Sequence, residues 1–184
     1  TKSSKPISEF LSLLNGIFSL AIWDAQTNKL LVARDALGVK PLYYVYDDKG
    51  FIFSSEIKSL VHLGIKLNQT NHVALDRYLS YIWSPGEETP TKNVKKFMPG
   101  KAIVITNGVI QTDLSWYQLP GINPSRKINK KSDCIELTRN YIRRAVKRQL
   151  ISNVPVGAFL SGGLDSSCIV NYAKEFNCLL YTSP

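Results

Sequence analysis

Apolar and polar positions in the first 117 residues follow strand rather than helix spacing. In Gly16–Trp23 (GIFSLAIW), Phe18, Leu20 and Ile22 fall on one face. The polar stretch Asp24–Asn28 then turns the chain, and Lys29–Arg34 (KLLVAR) returns, which predicts a hairpin with a five-residue loop. Leu42–Tyr46 (LYYVY) and Phe51–Ser55 (FIFSS) predict a second pair across Asp47–Gly50. Leu75, Tyr78, Leu79 and Ile82 recur at helical spacing and predict a helix near Leu75–Trp83. Ala102–Thr106 (AIVIT) and Val109–Thr112 flank Asn107-Gly108, the strongest short hairpin signal in the chain. The first half therefore reads as a mostly antiparallel sheet with helical cover.

The pattern changes after Trp116-Tyr117. Gln118–Lys131 (QLPGINPSRKINKK) combines proline, glycine and basic residues without apolar periodicity, the composition of an interdomain linker. Beyond it, Ile135, Thr138, Ile142, Ala145/Val146 and Leu150 predict a helix over 132–150. A short apolar strand follows at Val154–Leu160 (VPVGAFL), then a small-residue loop and a helix through Ser166–Phe176. Helix, buried strand, glycine turn and helix are the grammar of a parallel α/β sheet. A single strand does not complete such a domain.

Composition narrows the function classes. The 184 residues are 44% hydrophobic and 20% charged, which excludes a disordered tail. No apolar run approaches the roughly 18 residues of a membrane span, and TKSSKPISEF has no signal-peptide core. The three cysteines (Cys134, Cys168, Cys178) are unclustered and fit a reducing compartment, so a soluble, cytoplasmic protein is expected. His62 and His72 stand apart and read as surface or packing residues. Charge is uneven: residues 126–150 hold nine basic residues against Asp133 and Glu136, so +7 of the net +9 lies there. Arg139, Arg143 and Lys147 line one helix face, which reads either as a solvated face or as a surface for polyphosphate or RNA.

Ser161-Gly162-Gly163-Leu164-Asp165-Ser166-Ser167, directly after the apolar strand, carries the sharpest chemistry. Two adjacent glycines let backbone N–H groups approach an anion closely, and the next helix turns its positive end to the same spot. Ser161, Ser166 and Ser167 add hydroxyls. The Walker lysine is missing. Asp165 makes sense beside phosphate when Mg2+ bridges the two. The bland alternative is a Gly-Gly turn with an Asp-Ser helix start.

SGGLDSS after VPVGAFL resembles the PP-loop of ATP pyrophosphatases. LNGIFSLAIWD (14–24), LLVARDALGVKPLYY (30–44) and FIFSSEIKSL (51–60) are similar to the C-terminal part of a class II glutaminase domain. That order resembles the glutamine-hydrolysing asparagine synthetase family. The resemblance implies partial α+β N-terminal-nucleophile glutaminase-type antiparallel sheets (1–117), a basic linker (118–131) and the start of an α/β PP-loop ATP pyrophosphatase domain (132–184). It also implies ammonia from glutamine passing to a site where ATP adenylates aspartate, with ATP and Mg2+ required. By position, Asp35 of the ARD motif would hold the glutamine α-amino group; a turn carboxylate paired with Arg34 or Lys40 is the alternative. Leu160 would line the ATP site through its backbone. Ser161, Gly162, Gly163, Asp165 and Ser166 would hold pyrophosphate, with Asp165 near Mg2+. Glu56 suggests a structural or interdomain role.

The family's glutaminase chemistry needs an N-terminal cysteine, and none of the three cysteines fills that place. Thr1 does not replace it, because TKSSKPISEF matches no nucleophile strand. The expectation is a fragment lacking the catalytic N-terminal part. The heptad Cys178–Pro184 (CLLYTSP) resembles translated adapter sequence more than a native strand. The expected partners are glutamine, aspartate and ATP, with homodimerisation compatible and no membrane. Alternative readings are an amidotransferase for another carboxylate or a sugar, or an RNA-handling PP-loop protein that modifies tRNA. Tyr141 is the sole aromatic in the basic stretch, which disfavours a stacking platform for RNA.

Overall fold

The computed structural model describes residues 7–67, 69–121, 130–176 and, as backbone, 179–181. It divides into two units, Thr1–Pro120 and Gly121–Pro184. The boundary falls within the span read as a linker, of which residues 122–129 lie outside the described residues.

In the first unit, β1 (Ser19–Asp24), β2 (Lys29–Arg34), β6 (Lys101–Thr106) and β7 (Val109–Ser115) form an antiparallel sheet in the order β1-β2-β6-β7. A second antiparallel sheet has the order β4-β3-β5, from β3 (Tyr43–Asp47), β4 (Gly50–Ser54) and β5 (Lys95–Lys96). Alternate side chains explain how the sheets stack. Val32, Ile103 and Ile105 of the first sheet are buried with Leu42, Tyr44 and Phe97 between the two sheets. Ala33 and Ala102 face the other way, against Leu11 of α1 (Ile7–Ser12). Val45 likewise meets Leu60 of α2 (Ile57–His62) beneath the second sheet. The layers are helix, sheet, sheet, helix. Both faces of each sheet are covered, so KLLVAR and AIVIT are apolar on both faces. This is the antiparallel α+β architecture expected for residues 1–117.

Turn chemistry sets the registers. Asn107 and Gly108 have φ of 51° and 77°, the positive pair that a two-residue hairpin with matching twist demands. Asp24 accepts from Gln26 N–H at 2.9 Å and Thr27 Oγ1 at 2.7 Å. Asp24 pairs with Lys29, so that loop has four residues rather than five. The β3–β4 loop shrinks to two residues, because Asp47 pairs with Gly50.

Several expectations are corrected. The helix near Leu75–Trp83 is α3 (His72–Tyr81), started by Asn71, whose side chain accepts from Ala74 N–H. Its apolar stripe is not core: Leu79 is 70% exposed and Ile82 84%, and Ala74 is the buried residue of this helix. Periodicity reports an apolar face but not what covers it. Helices α1 and α2 are too short to show a repeat in sequence.

The second unit contains α4 (Lys131–Gln149), β8 (Gly157–Phe159), α5 (Leu164–Lys174) and β9 (Leu179–Tyr181). The strand expected over Val154–Leu160 is therefore only three residues, with Phe159 89% exposed. Residues 179–181, set aside above as unlike a native strand, pair in parallel with β8. Leu-Leu-Tyr is a short apolar run of the kind parallel strands use, and it is too short for periodicity to reveal. Cys178 and residues 182–184 lie outside the described residues.

Candidate functional site

In the second unit the chain leaves β8, passes Leu160 and Ser161, and turns at Gly162, whose φ of +76° suits glycine. Gly163 follows in extended conformation (φ −73°, ψ 155°) and caps α5. Asp165, Ser166 and Ser167 therefore lie in the first turn of the helix, which starts two residues earlier than the apolar pattern indicates. Ser167 N–H donates to Gly163 O at 3.0 Å, the first helical bond. The N–H groups of Leu164, Asp165 and Ser166 precede that bond and have no intrahelical acceptor. Three open donors at the positive end of a helix favour an anion.

The hydroxyls are organised among themselves. Ser166 Oγ donates to Gly163 O at 3.0 Å, so the 2.9 Å contact between Ser161 and Ser166 has Ser161 donating. A Cβ on Gly163 would lie in ordinary contact with both hydroxyls, 3.5 Å from Ser161 Oγ and 3.7 Å from Ser166 Oγ. Asp165 is exposed on the first turn, and Leu160 is part exposed beside the loop. The structure thus brings Ser161, Gly162, Gly163, Asp165 and Ser166 together on one exposed strand-to-helix junction. Asp165 is the only carboxylate of that junction. Among the described residues no group of three or more His, Cys, Asp or Glu is placed to hold a metal ion.

The basic helix is partly committed elsewhere. Arg143 Nε donates to Glu175 Oε2 at 2.6 Å, beyond the end of α5. Arg143 also sits 5.8 Å from the Phe176 ring centre, and Lys147 sits 5.5 Å from the same ring. Arg144 lies 5.2 Å from the Tyr141 ring. Two residues of the Arg139, Arg143, Lys147 line therefore bind the neighbouring helix end, which the spacing alone assigned to solvent or a polyanion.

Asp35, in the first unit, is 2% exposed. Its Oδ1 accepts from Leu37 N–H at 3.1 Å and Val39 N–H at 3.0 Å, and its Oδ2 from Lys40 N–H at 2.9 Å. Burial by itself raises the carboxyl pKa, but the N–H groups of Lys40, Val39 and Leu37 outweigh it and hold the pKa below the ordinary value. Asp35 is a turn carboxylate, with backbone donors in place of the Arg34 or Lys40 side chains. The structure thus places Asp35 inside its own turn, 2% exposed, with three backbone N–H groups on its carboxylate. Arg34 reinforces the turn, donating to Lys40 O at 2.7 Å, Gly38 O at 2.6 Å and Phe97 O at 2.5 Å. Sequence spacing misses this clamp, since Phe97 is 63 positions away. Glu56 is exposed and pairs with Lys58 at 2.7 Å.

Residues 6–117 match the family described as glutamine amidotransferase domain, and residues 137–180 match asparagine synthase. The chain is 37% identical to asparagine synthetase (glutamine-hydrolyzing) 3 of Bacillus subtilis, over 92% of this chain and 28% of that protein. It is 35% identical to asparagine synthetase (glutamine-hydrolyzing) 1 of the same organism, over 95% of this chain and 27% of that protein. Amidase chyE of Penicillium rubens is 29% identical over 90% of this chain and 24% of that protein. The chain thus spans about a quarter of the length of these relatives. Among the described residues no helix is long and apolar enough to cross a membrane.

Proposed function

Because this chain belongs to the glutamine amidotransferase domain family, we propose that the protein carrying it is a glutamine-hydrolysing asparagine synthetase. The proposed reaction takes glutamine, aspartate, ATP and water to asparagine, glutamate, AMP and pyrophosphate. The observation that carries the ATP half is the strand-to-helix junction at Gly162. The open N–H groups of Leu164, Asp165 and Ser166 would bind pyrophosphate oxygens, with Ser161 and Ser166 turning their hydroxyls from each other to the ligand. Leu160 would border the nucleotide through its backbone. Asp165 would be the residue of this loop to hold a Mg2+ ion brought with ATP, and the ion would supply charge neutralisation to the leaving pyrophosphate. Glutamine hydrolysis would supply the ammonia that displaces AMP from the activated aspartate carboxylate, so the first unit serves the second. RNA binding is disfavoured by the engagement of Arg143 and Lys147 with Glu175 and Phe176. A cytoplasmic location and a homodimer are compatible with this reading.

The test uses the gene product carrying this chain, supplied with ATP, glutamine and aspartate. AMP and pyrophosphate should appear one for one with asparagine. Asp165→Asn should abolish AMP release and leave glutamine hydrolysis largely intact. Equal loss of both activities, or no AMP from wild type, overturns the proposal.

A further inference from the structure

The C-terminal end of α3 opens into a concavity of about 430 Å³, lined by Arg77, Tyr81, Trp83, Pro85 and Gly86. That volume lies within the range of small-molecule sites. Between the two aromatic residues, Ile82 adopts φ 57°, a left-handed conformation unusual for a β-branched residue. This turn lets both Tyr81 and Trp83 line the same hollow.

The surrounding chain is fastened at several points. Lys96 donates to Ser84 O, Ser84 Oγ donates to Glu88 O at 3.0 Å, and Tyr44 donates to Glu87. Asn71 N–H reaches Pro90 O at 2.9 Å. The polar groups available are the Arg77 guanidinium, the Trp83 indole N–H and the Tyr81 hydroxyl, which can donate or accept, and Lys96 Nζ adds a second positive charge 6.0 Å from the Trp83 ring centre. Neither the indole N–H nor the hydroxyl has a hydrogen-bond partner among the described residues. Arg77 holds Glu88 only at 3.7 Å with both side chains about half exposed, so a stronger acceptor can take it. Among the described residues no carboxylate lines the hollow. Aromatic faces beside a guanidinium suit a flat ring that carries a negative group.

We propose that this hollow in the first unit is a binding site for a small planar aromatic carboxylate, stacked on Trp83 and Tyr81 and held by Arg77. The site is independent of the pyrophosphate loop and of the synthetase reading. The test titrates the gene product carrying this chain, labelled with fluorotryptophan, with indole-3-acetate and with its uncharged analogue indole-3-acetamide. Indole-3-acetate should bind saturably and shift the Trp83 resonance, leaving those of Trp23 and Trp116 in place. The amide should bind about tenfold more weakly, the loss of one charge-assisted hydrogen bond. Arg77→Gln should weaken the acid to the level of the amide, and Trp83→Leu should remove binding of both. Tyr81→Leu gives a second variant on the opposite wall, and it should weaken both ligands alike. Equal affinity of acid and amide in wild type, non-saturable binding, or shifts at Trp23 instead of Trp83 would overturn the proposal. So would unchanged binding by both wall variants with native circular dichroism.

Discussion

Replacing Asp35 by asparagine changes one atom of a buried carboxylate and tests what that group does. The amide can keep a carbonyl oxygen toward Leu37 and Val39 N–H, whose bonds are 3.1 and 3.0 Å long. Its nitrogen then faces Lys40 N–H, which sits 2.9 Å from Oδ2 in the native protein. That donor loses its acceptor, which costs about 1–3 kcal/mol when buried. The two remaining bonds become neutral and weaken by roughly 1 kcal/mol together. The expected loss is therefore about 2–4 kcal/mol in the first unit. Urea unfolding of the 184-residue chain, followed by tryptophan fluorescence, reads it directly, since Trp116 Nε1 donates to the neighbouring Arg34 O at 3.1 Å.

The pH dependence adds a second check. The folded pKa of Asp35 lies below the ordinary value, so the unfolded chain takes up the proton first on acidification. The stabilisation is complete above the unfolded value of about 3.9 and disappears as pH falls through the folded pKa. The Asp35→Asn variant lacks that titration, so the gap between wild type and variant should close in acid. A gap under about 0.5 kcal/mol at neutral pH would refute the turn role, because it would mean that no donor lost its acceptor. A gap that stays constant from about pH 6 down to about pH 2 would refute the linkage.

Two further outcomes follow from buried and part-buried contacts. Tyr44→Phe should cost about 1–2 kcal/mol in urea unfolding, because the Glu87 carboxylate then keeps only Lys101, at 3.8 Å. Burial and then Glu87 raise the Tyr44 pKa, so wild type should also lose stability as pH climbs past the ordinary phenol value of about 10, and Tyr44→Phe should lose less. Arg143→Ala should destabilise the second unit by about 0.5–1.5 kcal/mol, discounted for the 56% and 37% exposure of the pair, with the difference shrinking in high salt. Helical circular dichroism during heating measures that change.

Local chemistry could be read directly from residues. Asn107-Gly108 demanded a two-residue turn with positive φ, and glycine at 162 permitted the backbone that opens the loop before α5. The long helix at 131–149 was visible because a repeat sustained over many turns outweighs noise in any one residue. The short apolar runs LLV and AIV showed strands, but their apolar character on both faces needed the stacked sheets and two short helices before it made sense. Partnership across the chain was decided by tertiary structure. Arg34 with Phe97, Tyr44 with Glu87 and Arg143 with Glu175 are 63, 43 and 32 positions apart, beyond any local periodicity. The same limit governed Asp35. Its place in the ARD motif does not show which donors surround it, and the folded backbone brings three N–H groups to it. Sequence by itself determined the glycine turn and the helix start that follow β8, because glycine conformation and a helix start are local. Burial and side-chain partners depend on what packs over each residue, and only the tertiary structure supplies that.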